Sequence, residues 1–230
     1  MEQEQLNKLI KELKISADQI LREEAEMIFL RALGDSPLGS KTVFYGGTAM
    51  RLAYNSPRFS EDIDLIKIKP LKFTEFKKFI RDTVKQNSNW SVKDIKDKRQ
   101  TMFALILIKD SKLKHNFSIK VEAHKPAKNP VLDQSLTLIK SPISVLEPLL
   151  LVPSLEKLKE LKINALHGRK KARDIFDLWY LARLNREIFS LPVKTPKYKK
   201  KEFENELKVF LPKNYYPIIN ELYEQVNKSN

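Results

Sequence analysis

The chain has 230 residues, of which 42% are hydrophobic and 31% charged, and it contains no cysteine. That composition supports a globular core of one large or two small domains, excludes disulfides and thiolate metal sites, and includes no apolar run long enough to span a membrane. The formal net charge of +14 favours a polyanionic partner such as RNA, although a lysine-rich solvated surface is the simpler alternative.

The chain is expected to open with two helices. Ser16 is placed to cap the second one, with Gln19 at the reciprocal capping position, and Gly34 ends it. A short strand over residues 42–45 follows, and the pair Gly46-Gly47 then separates it from a helix over residues 48–54.

A run of strands is predicted after this opening. Residues 62–66 alternate polar and apolar side chains, as a half-buried strand does. The remaining elements predicted in this part of the chain are a helix over 74–86, strands over 90–95, 102–108 and 117–123, and a short strand over 137–139. This order predicts a mixed sheet flanked by helices, and therefore a fold of the α+β class.

The pattern changes near residue 141, where three prolines interrupt a connecting stretch. The helices predicted beyond it cover residues 154–167, 173–185, 200–210 and 215–228. We therefore expect an α/β domain over residues 1–140, including the N-terminal helices, and a C-terminal helical domain over residues 141–230.

Asp62 and Asp64 are the first candidate catalytic residues. Side chains two apart in a strand project from the same face, so the two carboxylates lie together and repel one another unless a cation lies between them. Oxygen ligands of this kind suit Mg²⁺, and a pair of such ions can assist the transfer of a nucleotidyl group from a nucleoside triphosphate (NTP). Glu122, in another alternating strand, is the best candidate for a third metal ligand.

The pair Gly46-Gly47 is the candidate phosphate-binding corner. Glycines just before a helix leave backbone N–H groups exposed at a positive helix end, where a triphosphate can approach closely. Taken alone, a Gly-Gly break is usually only a turn, and an Asp-x-Asp strand is usually only surface. The order and the spacing of the two motifs are what indicate a nucleotide site.

The two motifs together resemble the DNA polymerase β-like nucleotidyltransferases, in which Gly-Gly or Gly-Ser precedes an Asp-x-Asp strand. More narrowly, residues 45–68, YGGTAMRLAYNSPRFSEDIDLIKI, resemble the AbiEii/AbiGii toxin family of nucleotidyltransferases. The resemblance implies a polymerase β-like nucleotidyltransferase core followed by a C-terminal helical bundle. It also implies that Thr48, Arg58 and Ser60 help to bind the nucleotide. For Arg58 and Ser60 the equal alternative is loop architecture, with Arg58 pairing with a nearby acid and Ser60 capping a turn.

A second block, residues 162–178, resembles the family's Lys-x-x-Ala-Leu, Arg and Arg-Asp-x-x-Asp-Leu elements. Lys162 and Arg169 lie two helical turns apart, so both side chains could face one groove. The resemblance implies that Lys162 contacts the nucleotide phosphates, that Arg169 binds the nucleotide, and that Asp174 has a catalytic or base-like role. The alternative is ordinary solvated charge, with Asp174 favoured by the helix dipole and Asp177 pairing with Arg173.

We therefore expect an Mg²⁺-dependent enzyme that uses an NTP and two metal ions, releases pyrophosphate, and acts as the toxin of a toxin–antitoxin pair. Its expected acceptor is RNA, with the acceptor end of tRNA as the target. The expected partners also include a cognate antitoxin but no membrane, and the expected location is cytoplasmic. Two alternatives stay open: a catalytically idle nucleotide or RNA binder that acts through a partner, and nucleotidyl transfer to a small molecule. The charge of +14 argues against the small molecule.

Overall fold

The computed structural model describes residues 1–128, 130–192 and 195–228. The helices are α1 (Gln3–Leu13), α2 (Ala17–Gly34), α3 (Gly46–Ala53), α4 (Phe73–Lys85), α5 (Leu155–Gly168), α6 (Ala172–Leu184), α7 (Lys200–Phe210) and α8 (Tyr216–Lys228). The strands are β1 (Thr42–Tyr45), β2 (Asp62–Lys67), β3 (Trp90–Asp97), β4 (Thr101–Ile108), β5 (Phe117–His124), β6 (Gln134–Leu138) and β7 (Leu149–Pro153). No helix among these residues is both long and apolar enough to cross a membrane.

The main sheet has five strands in the order β1-β2-β5-β4-β3. Strands β2 and β5 run parallel, and the other neighbouring pairs are antiparallel. The parallel pairing places Asp62 opposite Lys120 and Asp64 opposite Glu122. The predicted mixed sheet is therefore confirmed, and its central pair brings two distant charged segments side by side.

One face of this sheet is covered and the other is open. Along β4 and β5 every second side chain is buried, as the alternation of a pleated strand requires. The buried face packs against α2 and α4, where the rings of Phe29 and Phe79 meet edge to face with centroids 5.4 Å apart. The covered face therefore forms the core, and the polar side chains of β2 and β5 project from the other face.

The helices α5 to α8 enclose a second apolar cluster. Its most buried members include Leu166, Ile175, Phe176, Phe203 and Leu222. Each of these side chains is no more than 1% exposed, so the helices bury one shared apolar interior. The expected helical bundle after the sheet is therefore confirmed.

The connecting stretch contains a strand that the sequence did not predict. Strand β7 pairs with β6 in a separate two-stranded sheet, and its Leu150 and Val152 are buried in the first apolar cluster. Because Pro148 and Pro153 flank this short apolar run, the sequence indicated a connecting stretch there, although proline is compatible with the ends of an edge strand. The first cluster thus continues past residue 140, and the predicted boundary between residues 140 and 141 stays a prediction.

Candidate functional site

Three carboxylates meet on the open face of the sheet. Asp62 and Asp64 project from β2, and Glu122 projects from the neighbouring strand β5 at the level of Asp64. Tyr45, the last residue of β1, pairs with Asp64 from the other side. The three residues that the sequence proposed as metal ligands are therefore neighbours across two strands.

A lysine ammonium lies between two of these acids. Lys120 Nζ is 3.0 Å from Asp62 Oδ2 and 3.2 Å from Glu122 Oε2. Burial by itself would lower the pKa of Lys120, but the two carboxylates outweigh it and raise that pKa. Lys120 therefore stays charged and partly neutralises Asp62 and Glu122.

The surroundings of Asp64 oppose its negative charge. Burial, followed by repulsion from Asp62 and Glu122, raises the pKa of Asp64 to about 6, against attraction from Lys120 and Lys162. A carboxylate in this position gains from any additional cation. Within the described ranges, no group of three or more His, Asp or Glu side chains is placed so that together they could hold a metal ion. Carboxylate oxygens are the donors that a hard divalent ion prefers, and Lys120 shows that a positive charge is stabilised between Asp62 and Glu122, but metal binding by the three acids stays a prediction.

The glycine corner lies directly against these acids. Gly46 has φ +87°, a conformation that favours glycine, and a Cβ atom there would lie 2.3 Å from Asp64 Oδ2. A Cβ atom on Gly47 would lie 2.6 Å from both Arg58 Nη2 and Ser60 Oγ. Both glycines are therefore needed for close packing, and Ser60 helps to form the corner.

Thr48, on the first turn of α3, makes a hydrogen bond within the protein. Its side chain is buried, and its hydroxyl donates a hydrogen bond to the backbone carbonyl of Asp62. This bond fixes the start of β2 relative to the glycine corner. Direct contact of Thr48 with a nucleotide stays a prediction.

A cavity of about 360 Å³ opens between the sheet edge and α5. Its lining includes Gly46, Asp64 and Glu122 on the sheet side, and Lys162 and Arg169 on the helix side. The expectation that Lys162 and Arg169 face one groove is therefore correct. A larger cavity of about 710 Å³, between the α1–α2 turn and α7–α8, is lined by none of the predicted site residues.

Asp177 is the centre of a buried ionic cluster next to the 360 Å³ cavity, which shares Lys162 with it. Arg58 donates two hydrogen bonds to its carboxylate, at 2.6 and 2.8 Å, and Lys162 Nζ lies 2.6 Å from Asp177 Oδ2. Burial opposes the charge of Asp177, but Arg58 and Lys162 together lower its pKa to about 2. Arg58 therefore pairs with a nearby acid, as one of the two interpretations of the sequence expected. Its side chain is only 2% exposed, and contact with a nucleotide stays a prediction.

Asp174 extends the cluster towards the cavity. Arg169 donates to both of its carboxylate oxygens, at 3.0 and 3.1 Å, and Lys162 Nζ is 3.6 Å from Asp174 Oδ1. The proposed pairing of Asp177 with Arg173 was wrong, because Arg173 instead lies 3.8 Å from Glu206 and the charges of Arg58 and Lys162 already meet Asp177. The cluster joins α5 and α6 to the loop before β2.

The sequence analysis did not select two residues of the site, Tyr45 and Lys120. Tyr45 lines the cavity, and burial together with Asp64 and Glu122 raises the pKa of its phenol. Lys120 contacts Asp62 and Glu122. Their positions in the sequence could have indicated both residues, because Tyr45 directly precedes the glycine pair and Lys120 lies two residues before Glu122, on the same strand face.

Comparison with known protein families decides the identity of the chain. The profile of the family described as nucleotidyl transferase AbiEii toxin, type IV TA system, matches residues 28–214. The chain belongs to the AbiEii toxin family. Membership confirms the predicted family and the prediction of an enzyme that transfers nucleotidyl groups, and this type of toxin–antitoxin system implies a cognate antitoxin for the AbiEii chain.

Two solved structures show the same fold. The JHP933 protein from Helicobacter pylori is 20% identical, with a TM-score of 0.62 and coverage of 93% of the AbiEii chain and 92% of its own chain. MenT4, a nucleotidyltransferase toxin from Mycobacterium tuberculosis, is 15% identical, with a TM-score of 0.58 and coverage of 92% and 84%. A comparison with curated protein sequences found no match. These structures confirm the predicted fold class.

Proposed function

We propose that this AbiEii protein transfers a nucleotidyl group from an Mg²⁺–NTP complex to a hydroxyl group of RNA, with the acceptor end of tRNA as the target. The observation that carries the proposal is the single cavity shared by Asp64, Glu122, Gly46, Lys162 and Arg169. Acids on one wall and cations on the other suit a substrate that combines divalent metal with triphosphate.

The acids form the metal-binding wall. Asp62, Asp64 and Glu122 would hold the divalent ions, in competition with the ammonium of Lys120, which contacts Asp62 and Glu122. When bound, such ions supply charge neutralisation at the attacking and leaving oxygens. The chain's own part is to place Asp64 and Glu122 in the cavity lining, with Asp62 beside them on β2.

The phosphates would be bound from both sides of the cavity. The backbone N–H groups at the start of α3 would meet them from the sheet side, and Lys162 and Arg169 add positive charge from the facing helix. Arg169 is 46% exposed and is the more accessible of the two cations. Lys162 is 6% exposed and reaches the cavity from its place between two aspartates.

Asp174 and Asp177 fit the role of positioning residues. Both carboxylates are fully buried, and their oxygens are engaged by Arg58, Lys162 and Arg169. An acid held in this way orients the cations that face the phosphates. The base-like role of Asp174 stays a prediction, and a base would first have to release the two hydrogen bonds from Arg169.

The experiment follows the α-phosphate. Purified protein is incubated with each NTP labelled at the α-phosphate, together with Mg²⁺ and total RNA, and the products are separated on a denaturing gel. Label should appear in RNA with the wild type and be lost with Asp64→Asn. The matched control, Asp82→Asn on the exposed side of α4, should keep full activity.

Other outcomes identify the alternatives. If a parallel incubation with γ-labelled NTP puts label into RNA, the reaction is phosphorylation and not nucleotidyl transfer. Label only in small products would indicate a small-molecule acceptor. No transfer at all, with growth arrest unaffected by Asp64→Asn, would indicate an idle binder.

A further inference from the structure

Strand β4 exposes an apolar stripe on the open face of the sheet. Phe103, Leu105 and Leu107 are half-buried, whereas the residues between them are buried on the covered face. We call these three residues the β4 stripe. None of the three belongs to, or packs against, an apolar cluster within the described part of the chain.

The β4 stripe begins at the candidate active site. Phe103 is the cross-strand partner of Glu122, and Leu105 is the partner of Lys120. With about 3.4 Å per residue, the stripe runs roughly 14 Å along the strand, away from the cavity that Glu122 lines. Anything bound along the stripe therefore ends beside the predicted metal ligands.

Two lysines border the stripe, each beside a carboxylate. Lys98 Nζ lies 3.9 Å from the centroid of the Phe103 ring and 3.8 Å from Glu122 Oε1. Lys96, the partner of Phe103 on β3, is 62% exposed and its Nζ lies 2.6 Å from Asp94 Oδ2. An aromatic face with lysines beside it can stack a base and hold its phosphates. Single-stranded RNA offers both groups, whereas a base-paired end keeps its bases stacked on one another.

We propose that the β4 stripe is the acceptor platform, on which the unpaired end of the RNA acceptor lies with a base stacked on Phe103. The inference rests on the proposed function and adds the surface that presents the acceptor hydroxyl. A single-stranded RNA end is favoured over a protein partner because the acceptor hydroxyl must reach the cavity, and because the stripe leads to Glu122 with lysines beside it.

The test measures binding of a fluorescein-labelled single-stranded RNA 12-mer of mixed sequence by fluorescence anisotropy, in low salt and without NTP. Phe103→Ala should raise the Kd for this RNA by roughly 5- to 100-fold, since stacking contributes about 1–3 kcal/mol per base. Phe103→Tyr should keep near wild-type affinity. The matched control, Leu136→Ala, removes a 63% exposed apolar side chain from β6 and should change nothing.

Two results would overturn the platform. Equal RNA affinity for Phe103→Ala and Leu136→Ala would show that RNA does not use the stripe and would favour a protein-docking face. Equally tight binding of a blunt duplex of the same length would exclude stacking on an unpaired end. This assay measures binding and needs no nucleotidyl transfer. RNA binding that depends on Phe103, together with no transfer of the α-label, would therefore contradict the proposed reaction but support the platform.

Discussion

Replacing Asp177 by asparagine tests whether the buried ionic cluster holds the two halves of the site together. The substitution keeps the shape of the side chain but removes its charge, which Arg58 contacts at 2.6 and 2.8 Å and Lys162 at 2.6 Å. Breaking a buried ion pair on one side costs about 3–5 kcal/mol, because the partners stay buried without compensation. For a chain of this size, that loss lowers Tm by roughly 6–20 °C.

The matched control is Asp82→Asn. Asp82 Oδ2 lies 2.5 Å from Lys78 Nζ, a distance similar to those around Asp177, but the two side chains are 53% and 77% exposed. An exposed pair contributes less than about 1 kcal/mol, so Tm should change by only a few degrees. Thermal unfolding followed by circular dichroism measures both variants. Similar Tm changes in the two variants would refute the argument that burial makes the Asp177 pairs important.

The same comparison has a defined pH dependence. The pKa of Asp177 is lowered to about 2, so its stabilisation is fully present above the unfolded value near 4 and is lost as pH falls from about 4 towards 2. The stability difference between wild type and Asp177→Asn should therefore narrow across that range. A difference that stays constant down to pH 2 would contradict the assigned pairing.

Three further predictions concern the metal-binding wall. Gly46→Ala should abolish Mn²⁺ binding measured by electron paramagnetic resonance, because its Cβ would lie 2.3 Å from Asp64 Oδ2; Gly168→Ala, with nothing within 4 Å, should bind normally. Mn²⁺ affinity should fall about tenfold per pH unit below 6, where a proton competes for Asp64, and level off above it; a flat titration from pH 5 to 8 would contradict this. Lys120→Gln should tighten Mn²⁺ binding by roughly tenfold, since an ammonium no longer competes for Asp62 and Glu122. Lys125→Gln, which loses only its pair with Asp97, serves as the control, and equal affinities in the two lysine variants would count against competition by Lys120.

Several features of this chain were accessible from short windows of sequence. Ser16 caps α2 and accepts a hydrogen bond from the backbone N–H of Gln19, as its spacing predicts. The reciprocal bond predicted for Gln19 was wrong, because Gln19 Oε1 is buried without a hydrogen-bond partner among the described residues. The alternation of residues 62–66 specified a strand with both aspartates on one face, and the glycine pair specified the start of a helix. These features depend on capping and periodicity, which act over a few residues.

Tertiary structure decided the partners of those residues. Asp64 meets Glu122 only because β2 and β5 pair in parallel, and that pairing also inserts Lys120 between two acids. Arg58 meets Asp177 across 119 positions of sequence, a pairing that no local pattern encodes. The sequence by itself thus determined the local elements and the family motifs, and the catalytic roles that it assigns to Asp62, Asp64, Lys162 and Asp174 stay predictions. Only long-range packing decided which charges are buried, since the choice of partner depends on how separate elements are brought into contact.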